Sequence, residues 1–257
     1  MLNSVVSVFQ YFLPIIVMLL IAFVLQKLYV SLLIKVGGRP LLYVPASFSV
    51  PVHELSHYLA AKLCLHKVEK VVFFQPNASQ TLGYVSHSYK KSLISPLTNA
   101  VIGMAPIFGG WFVVALITFL LMPDIYQLLN VRLSLTDTTI VDDIITFINA
   151  FESVLYQQYA EPKFWAWGFL VANIAVFSAP SGADFKGAWS GLVVILFTYV
   201  ALFYFFGDKT GVFQIVNAMA SAYLPALILC VIIIFFITIP LVAINVIKQK
   251  IVGIEQP

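Results

Sequence analysis

Charge is scarce in this sequence. Charged residues are 10% of the 257, hydrophobic residues are 61%, and the mean hydropathy is +0.98. That leaves too little polar surface to clothe a soluble globule of this length, so a polytopic membrane protein is expected. A nucleic-acid partner is excluded as a reading of the +3 net charge, because the Lys and Arg residues are scattered at segment ends rather than gathered on a basic face. Cysteine is scarcer still. Cys64 and Cys230 lie far apart with no C-x-x-C, which excludes both a disulfide framework and a thiolate zinc site. Cations are missing before Lys27, and no small-residue cleavage site follows the first apolar run, so that run is expected to be a retained span and not a signal peptide. No internal repeat, low-complexity tract or accessory peptide-binding or nucleotide-binding insert is evident, and residues 1–257 read as a single integral membrane domain.

What is present is apolar length. Runs long enough to span a bilayer lie at about 8–33, 41–63, 97–122, 164–180, 187–206 and 223–247, giving an all-α fold of about six transmembrane helices. Between the second and third runs, the stretch from Lys67 to Lys91 is polar. Its β-like segment Val68 to Phe74 predicts a small β-hairpin over about 67–90. Within the polar connection at 123–163, Ile140, Ile144, Ile148, Phe151 and Leu155 recur at helical spacing while Asp142, Asp143 and Glu152 fall elsewhere. That pattern predicts an amphipathic helix on the membrane surface, serving as a connector, a lid or a docking site for a regulatory membrane partner. Trp165 and Trp167 are expected to anchor the fourth span at the interface. Lys62, Lys67, Lys70, Lys90, Lys91, Lys186, Lys248 and Lys250 outnumber the cations on the opposite side, which favours both termini in the cytoplasm of a bacterial inner membrane.

Histidine is rare too, with four in the chain, and two of them stand in His53-Glu54-Leu55-Ser56-His57. On a helix, residues four apart share a face about 6 Å apart, so both imidazoles can reach one metal ion. Glu54 then projects beside the metal, where a carboxylate can take a proton from a water the metal has acidified. Chance would produce this motif on the order of once in a thousand chains of such His and Glu content. Ionisable groups at membrane depth are costly, which further favours a functional reading. A catalytic zinc usually has three protein ligands. His66 and His87 lie in the polar stretch and read as surface histidines. Asp184 stands at a break between two apolar runs and, by two crossings, on the same side of the membrane as the end of the His53–His57 helix. It is the expected third ligand, with helix capping as its alternative role.

These residues resemble the site-2 protease family of intramembrane zinc metalloproteases, over residues 41–190. His53 to Leu63 (HELSHYLAAKL) looks like the family's zinc helix. Leu82-Gly83-Tyr84-Val85 resembles its Gly-Gly-Tyr-Val turn, with Leu in place of the first Gly. Ser95-Pro96-Leu97-Thr98-Asn99 is similar to its Gly-Pro-x-x-Asn, and Asn173 to Gly187 (NIAVFSAPSGADFKG) to its Asn-x-x-Pro-x-Pro-x-x-Asp-Gly. The last departs from the family pattern: the Asn–Asp gap is longer, one proline remains, and Phe185 follows the Asp. The resemblance implies Zn2+ held by His53, His57 and Asp184, Glu54 as the general base, and hydrolysis of peptide bonds in or next to transmembrane segments of other proteins. It also implies a place for Asn173 near the oxyanion, with an interhelical hydrogen bond as the alternative. Val72, Phe74, Gly83 and Tyr84 are the expected substrate-binding residues of the hairpin, which could take up an unwound substrate as an added strand. The rival reading is a non-proteolytic membrane metal-binding protein, either a transporter or an inactive substrate binder. It is disfavoured because Glu54 and all three ligands are retained and no second intramembrane His accompanies them.

Overall fold

The computed structural model describes residues 2–76, 81–128, 140–206 and 238–249. Cys230, the break at 207–211 and most of the sixth expected span lie outside them. The described chain is mostly helical, with one small antiparallel hairpin. Its elements are α1 (Leu2–Leu63), β1 (Lys67–Val72), β2 (Tyr84–Ser88), α2 (Ser95–Leu121), α3 (Pro123–Leu128), α4 (Ile140–Gln158), α5 (Pro162–Phe177) and α6 (Gly182–Phe206). Residues 238–249 are also helical.

Among the described residues, two helices are long and apolar enough to cross a membrane, Ser95–Leu121 and Gly182–Ala201. That is fewer than the six expected. The fourth expected span is the shorter apolar helix Pro162–Phe177. The first two expected spans fall on the two halves of α1, which is broken at Gly38 (φ 71°, ψ −170°). A positive φ is cheap only for glycine, and Pro40, two residues on, disfavours helical geometry at Arg39 and has no N–H to continue the ladder. The two halves of α1 then share one core: Tyr29 and Leu33 from the first, Leu42, Ala46 and Val50 from the second, closed by Val176 and Phe177 of α5. Lys248 donates to the carbonyls of Lys35 and Val36 at 3.1 Å each, satisfying acceptors that the break at Gly38 leaves without helical partners.

At its other end α1 stops in a left-handed residue, Leu65 (φ 59°), with the His66 N–H bonded to Ala61 O and the Leu65 N–H to Lys62 O. This Schellman-type turn drops the chain directly into β1. The hairpin pairs Val71 with Val85 and Val72 with Tyr84, with a bulge between Val68 and Lys70. Its location within 67–90 is as expected.

The second core corrects two sequence readings. Trp167 is almost fully buried, its indole N–H donating to Thr118 Oγ1 at 3.0 Å, while Trp165 is exposed. Only Trp165 can therefore be an interfacial anchor. In α4 the buried residues are Phe147 and Phe151, with Ile144, Val154 and Leu155 packed beside them, whereas Ile148 is exposed. The helix is amphipathic as expected, but its apolar stripe runs through 147 rather than 148. Phe164 and Val171 of α5 and Val114 of α2 complete this cluster, so α4 is packed into the fold.

Candidate metal centre

His53 and His57 lie one turn apart in the second half of α1, and Asp184 sits in the first turn of α6. Their ligand atoms converge. His53 Nε2 and His57 Nε2 are 3.1 Å apart, His57 Nε2 is 3.1 Å from Asp184 Oδ1, and His53 Nε2 is 3.3 Å from Asp184 Oδ2. Ligands about 2.0–2.1 Å from one tetrahedral ion are themselves roughly 3.3 Å apart, so the three residues fit a single metal.

The tautomers sharpen this. His53 Nδ1 lies 2.7 Å from Phe177 O, and His57 Nδ1 lies 2.8 Å from Ile102 O. A carbonyl can only accept, so each Nδ1 carries the proton and, in the neutral ring, each Nε2 is a bare lone pair. Two lone pairs and a carboxylate facing one another within these distances could hold a metal ion at their centre. A backbone carbonyl behind each ligating imidazole is the usual outer support of such a site.

Both carbonyls are free for a local reason. Phe177 is the last residue of α5, where carbonyls have no intrahelical partner. Ile102 lies inside α2, but the residue four places on, whose N–H would normally bond it, is Pro106. Proline has no N–H, and its ring pushes the carbonyl four residues back out of line. Pro106 therefore gives His57 its acceptor. Restoring the donor with Pro106→Ala is expected to straighten α2 and lower metal affinity about tenfold, the lower range for losing such a support. Titration with a competing chelator would show it.

Asp184 caps α6 as well as facing the two imidazoles. Ser181 N–H donates to Asp184 Oδ2 at 2.7 Å and Asp184 N–H to Ser181 Oγ at 3.2 Å, a reciprocal cap that starts α6 and fixes the carboxylate's rotamer. Gly103 lies beneath it, where an added Cβ would be 2.7 Å from Asp184 O and 2.8 Å from Ala188 Cβ. That contact lets α2 and α6 approach closely.

Glu54 is buried, and with the three ligands it lines a cavity of about 1370 Å³. The turn into β2 forms the opposite wall, with Thr81 to Val85, His87 and Tyr89 lining it. Gly83 is packed so tightly there that an added Cβ would lie 2.8 Å from both Glu54 Cγ and Val50 Cγ1. Gly83 and Tyr84 thus line the same cavity as Glu54. Val72 and Phe74 do not line the cavity: Val72 is in the ladder opposite Tyr84, and Phe74 packs edge-on against Tyr43. Nor does Asn173. Fully buried, it accepts from Tyr29 O–H at 2.6 Å and donates to Phe169 O at 2.7 Å, tying α5 to the first half of α1. Its amide is engaged in the interhelical bond that was its alternative role.

Sequence reasoning missed the pairing of His66 with His87. Their Nδ1 atoms are 3.1 Å apart, Tyr89 stacks on His66, and the Tyr89 hydroxyl accepts from Asn99 Nδ2 at 2.7 Å. This network fastens the hairpin to the end of α1 and the head of α2. Burial pushes both imidazoles below the ordinary histidine value of 6.5, and a charge on His66 would push His87 further down. Groups held neutral in the folded state bind fewer protons than in the unfolded chain, so their contribution is intact above that value and is lost as the pH falls below it. The hairpin is expected to become more susceptible to proteolysis at pH 5 than at pH 7.5, and His87→Gln is expected to reduce that difference.

The chain matches no protein-family model, no curated protein and no solved structure. Function is therefore argued from the site.

Proposed function

We propose that the protein is a multi-pass membrane zinc endopeptidase, resembling the site-2 proteases, that hydrolyses peptide bonds within or beside transmembrane segments of other proteins. The observation that carries this reading is the convergence of two tautomer-fixed imidazoles and a carboxylate beside a buried glutamate in one cavity. The proposed topology has about six crossings with both termini in the cytoplasm. His53, His57 and Asp184 would hold the ion. Bound zinc supplies Lewis acidity, bringing the pKa of water toward neutrality and polarising a carbonyl.

The remaining work belongs to the chain. Glu54 accepts the proton of the attacking water on its carboxylate and returns it to the departing amine nitrogen. The carbonyls of Phe177 and Ile102 hold the imidazoles in the tautomer that directs Nε2 inward. A helical substrate has its carbonyls already hydrogen-bonded, so it must unwind before attack. The strand that could receive it is β2, because residues 81–85 line the cavity while β1 pairs on the other side.

The test is cleavage of a single-span substrate by purified protein in liposomes. Cleavage that stops on chelation and returns with added zinc supports the reading. A metal-loaded protein that cleaves no single-span or membrane-adjacent substrate would overturn it.

A further inference from the structure

The cavity that holds the catalytic groups has a second charged wall. Gln26, Lys27, Ser31 and Lys35, from the first half of α1, line the same space as His53, Glu54, His57 and Asp184. Lys27, Ser31 and Lys35 repeat at four-residue spacing, so they form one stripe along the helix facing the cavity. Lys27 lies about three turns before the Gly38 break, roughly 16 Å along the helix, well inside an apolar run. Ionisable groups so placed are costly and usually serve a pathway or a ligand. No carboxylate lies within salt-bridge reach of Lys27 or Lys35 among the described residues, and the Lys27 ammonium rests 4.4 Å over the Phe23 ring. Among the described residues, the only acids lining the cavity are Glu54 and Asp184, one assigned to proton transfer and the other to the metal. Lys248, bonded to the carbonyls of Lys35 and Val36, adds a cation beside Lys35.

We infer that Lys27, supported by Lys35, is a carboxylate-binding subsite, and that the preferred substrates carry a carboxylate in the segment that enters the cavity. The inference rests on the peptide-substrate reading above. A carboxylate brought into this apolar setting finds an ammonium already in place, whereas a lysine-bearing segment meets like charge. The carboxylate could be an acidic side chain or a free C-terminus, and both present the same group.

The experiment is binding, not turnover. Fluorescent single-span peptides are titrated onto Glu54→Gln protein in lipid nanodiscs. They carry Glu, Gln or Lys at one position near the end of the span with an amidated C-terminus, and a fourth carries Gln with a free C-terminus. The Glu or the free-carboxylate peptide is expected to bind about tenfold more tightly than the amidated Gln peptide, and the Lys peptide more weakly. Which of the two gains identifies the source. Lys27→Met should abolish the preference and Lys27→Glu should favour the Lys peptide. Equal binding of all four peptides, or a preference that persists in Lys27→Glu, would overturn the inference. Because nothing is hydrolysed, failure here is distinct from failure of the protease reading, which cleavage by the wild type decides.

Discussion

Glu54→Gln is expected to abolish peptide-bond cleavage while leaving the metal content unchanged. The substitution keeps the shape of a buried side chain and removes only its capacity to accept a proton. Glu54 is outside the group of ligand atoms formed by His53, His57 and Asp184, so the affinity for metal should be retained. General-base catalysis typically contributes about 10²–10⁴-fold, and the rate is expected to fall by at least that factor. A loss of cleavage accompanied by a loss of metal would instead indicate a disrupted site, since removing a proton acceptor alone leaves the ligands in place.

The second large effect is expected at Asp184. Asp184→Ala removes one of the three proposed ligands and also the oxygen that caps α6 through Ser181 N–H. Both metal and activity should be lost, together with about 1 kcal/mol of helix stability from the cap. The two roles separate in a pair of controls. Asp184→Asn keeps an acceptor for Ser181 but withdraws the negative charge, and should lose metal with a smaller loss of stability. Ser181→Ala removes the hydroxyl that caps the Asp184 N–H, and should retain metal. Metal content measured beside thermal unfolding for the three variants distinguishes a ligand from a cap. If Asp184→Ala behaves like Ser181→Ala, the carboxylate is a cap alone.

The convergence of His53, His57 and Asp184 was legible in the sequence because its logic is local or topological. Four-residue spacing places His53 and His57 on one helical face whatever the rest of the fold does, and a count of crossings brings Asp184 to the same side. The groups that orient these ligands are backbone carbonyls, which carry no sequence identity of their own. Phe177 O and Ile102 O find their partners only through packing of α5 and α2 against α1. Pro106 was the one available signal, because a proline inside a helix leaves the carbonyl four residues back without its donor. Asn173 shows the opposite limit: its resemblance to a family position did not specify what its amide touches, and Tyr29 decides that.

Periodicity failed where two registers were nearly equivalent. Ile148 and Phe147 are neighbours that could each complete a stripe with Ile144 and Phe151. The larger ring fills the space against α5 and the isoleucine faces out. Trp167 was assigned to an interface by residue type, but its indole N–H has a buried hydroxyl partner in Thr118 and can therefore enter the core. Spanning length was the least specific signal, since two of the described helices are long and apolar enough to cross a membrane where six spans were expected. From the sequence, Lys27 was one of the cations scattered at segment ends. Its position on the cavity that His53, Glu54 and His57 line follows only once the two halves of α1 share a core.

The central claim is that His53, His57 and Asp184 together hold one zinc ion on which cleavage depends. Elemental analysis of purified protein tests it most directly. The prediction is one zinc per chain in the wild type and in Glu54→Gln, and essentially none in the double variant His57→Ala with Asp184→Ala. A double variant that binds zinc as the wild type does would contradict the account.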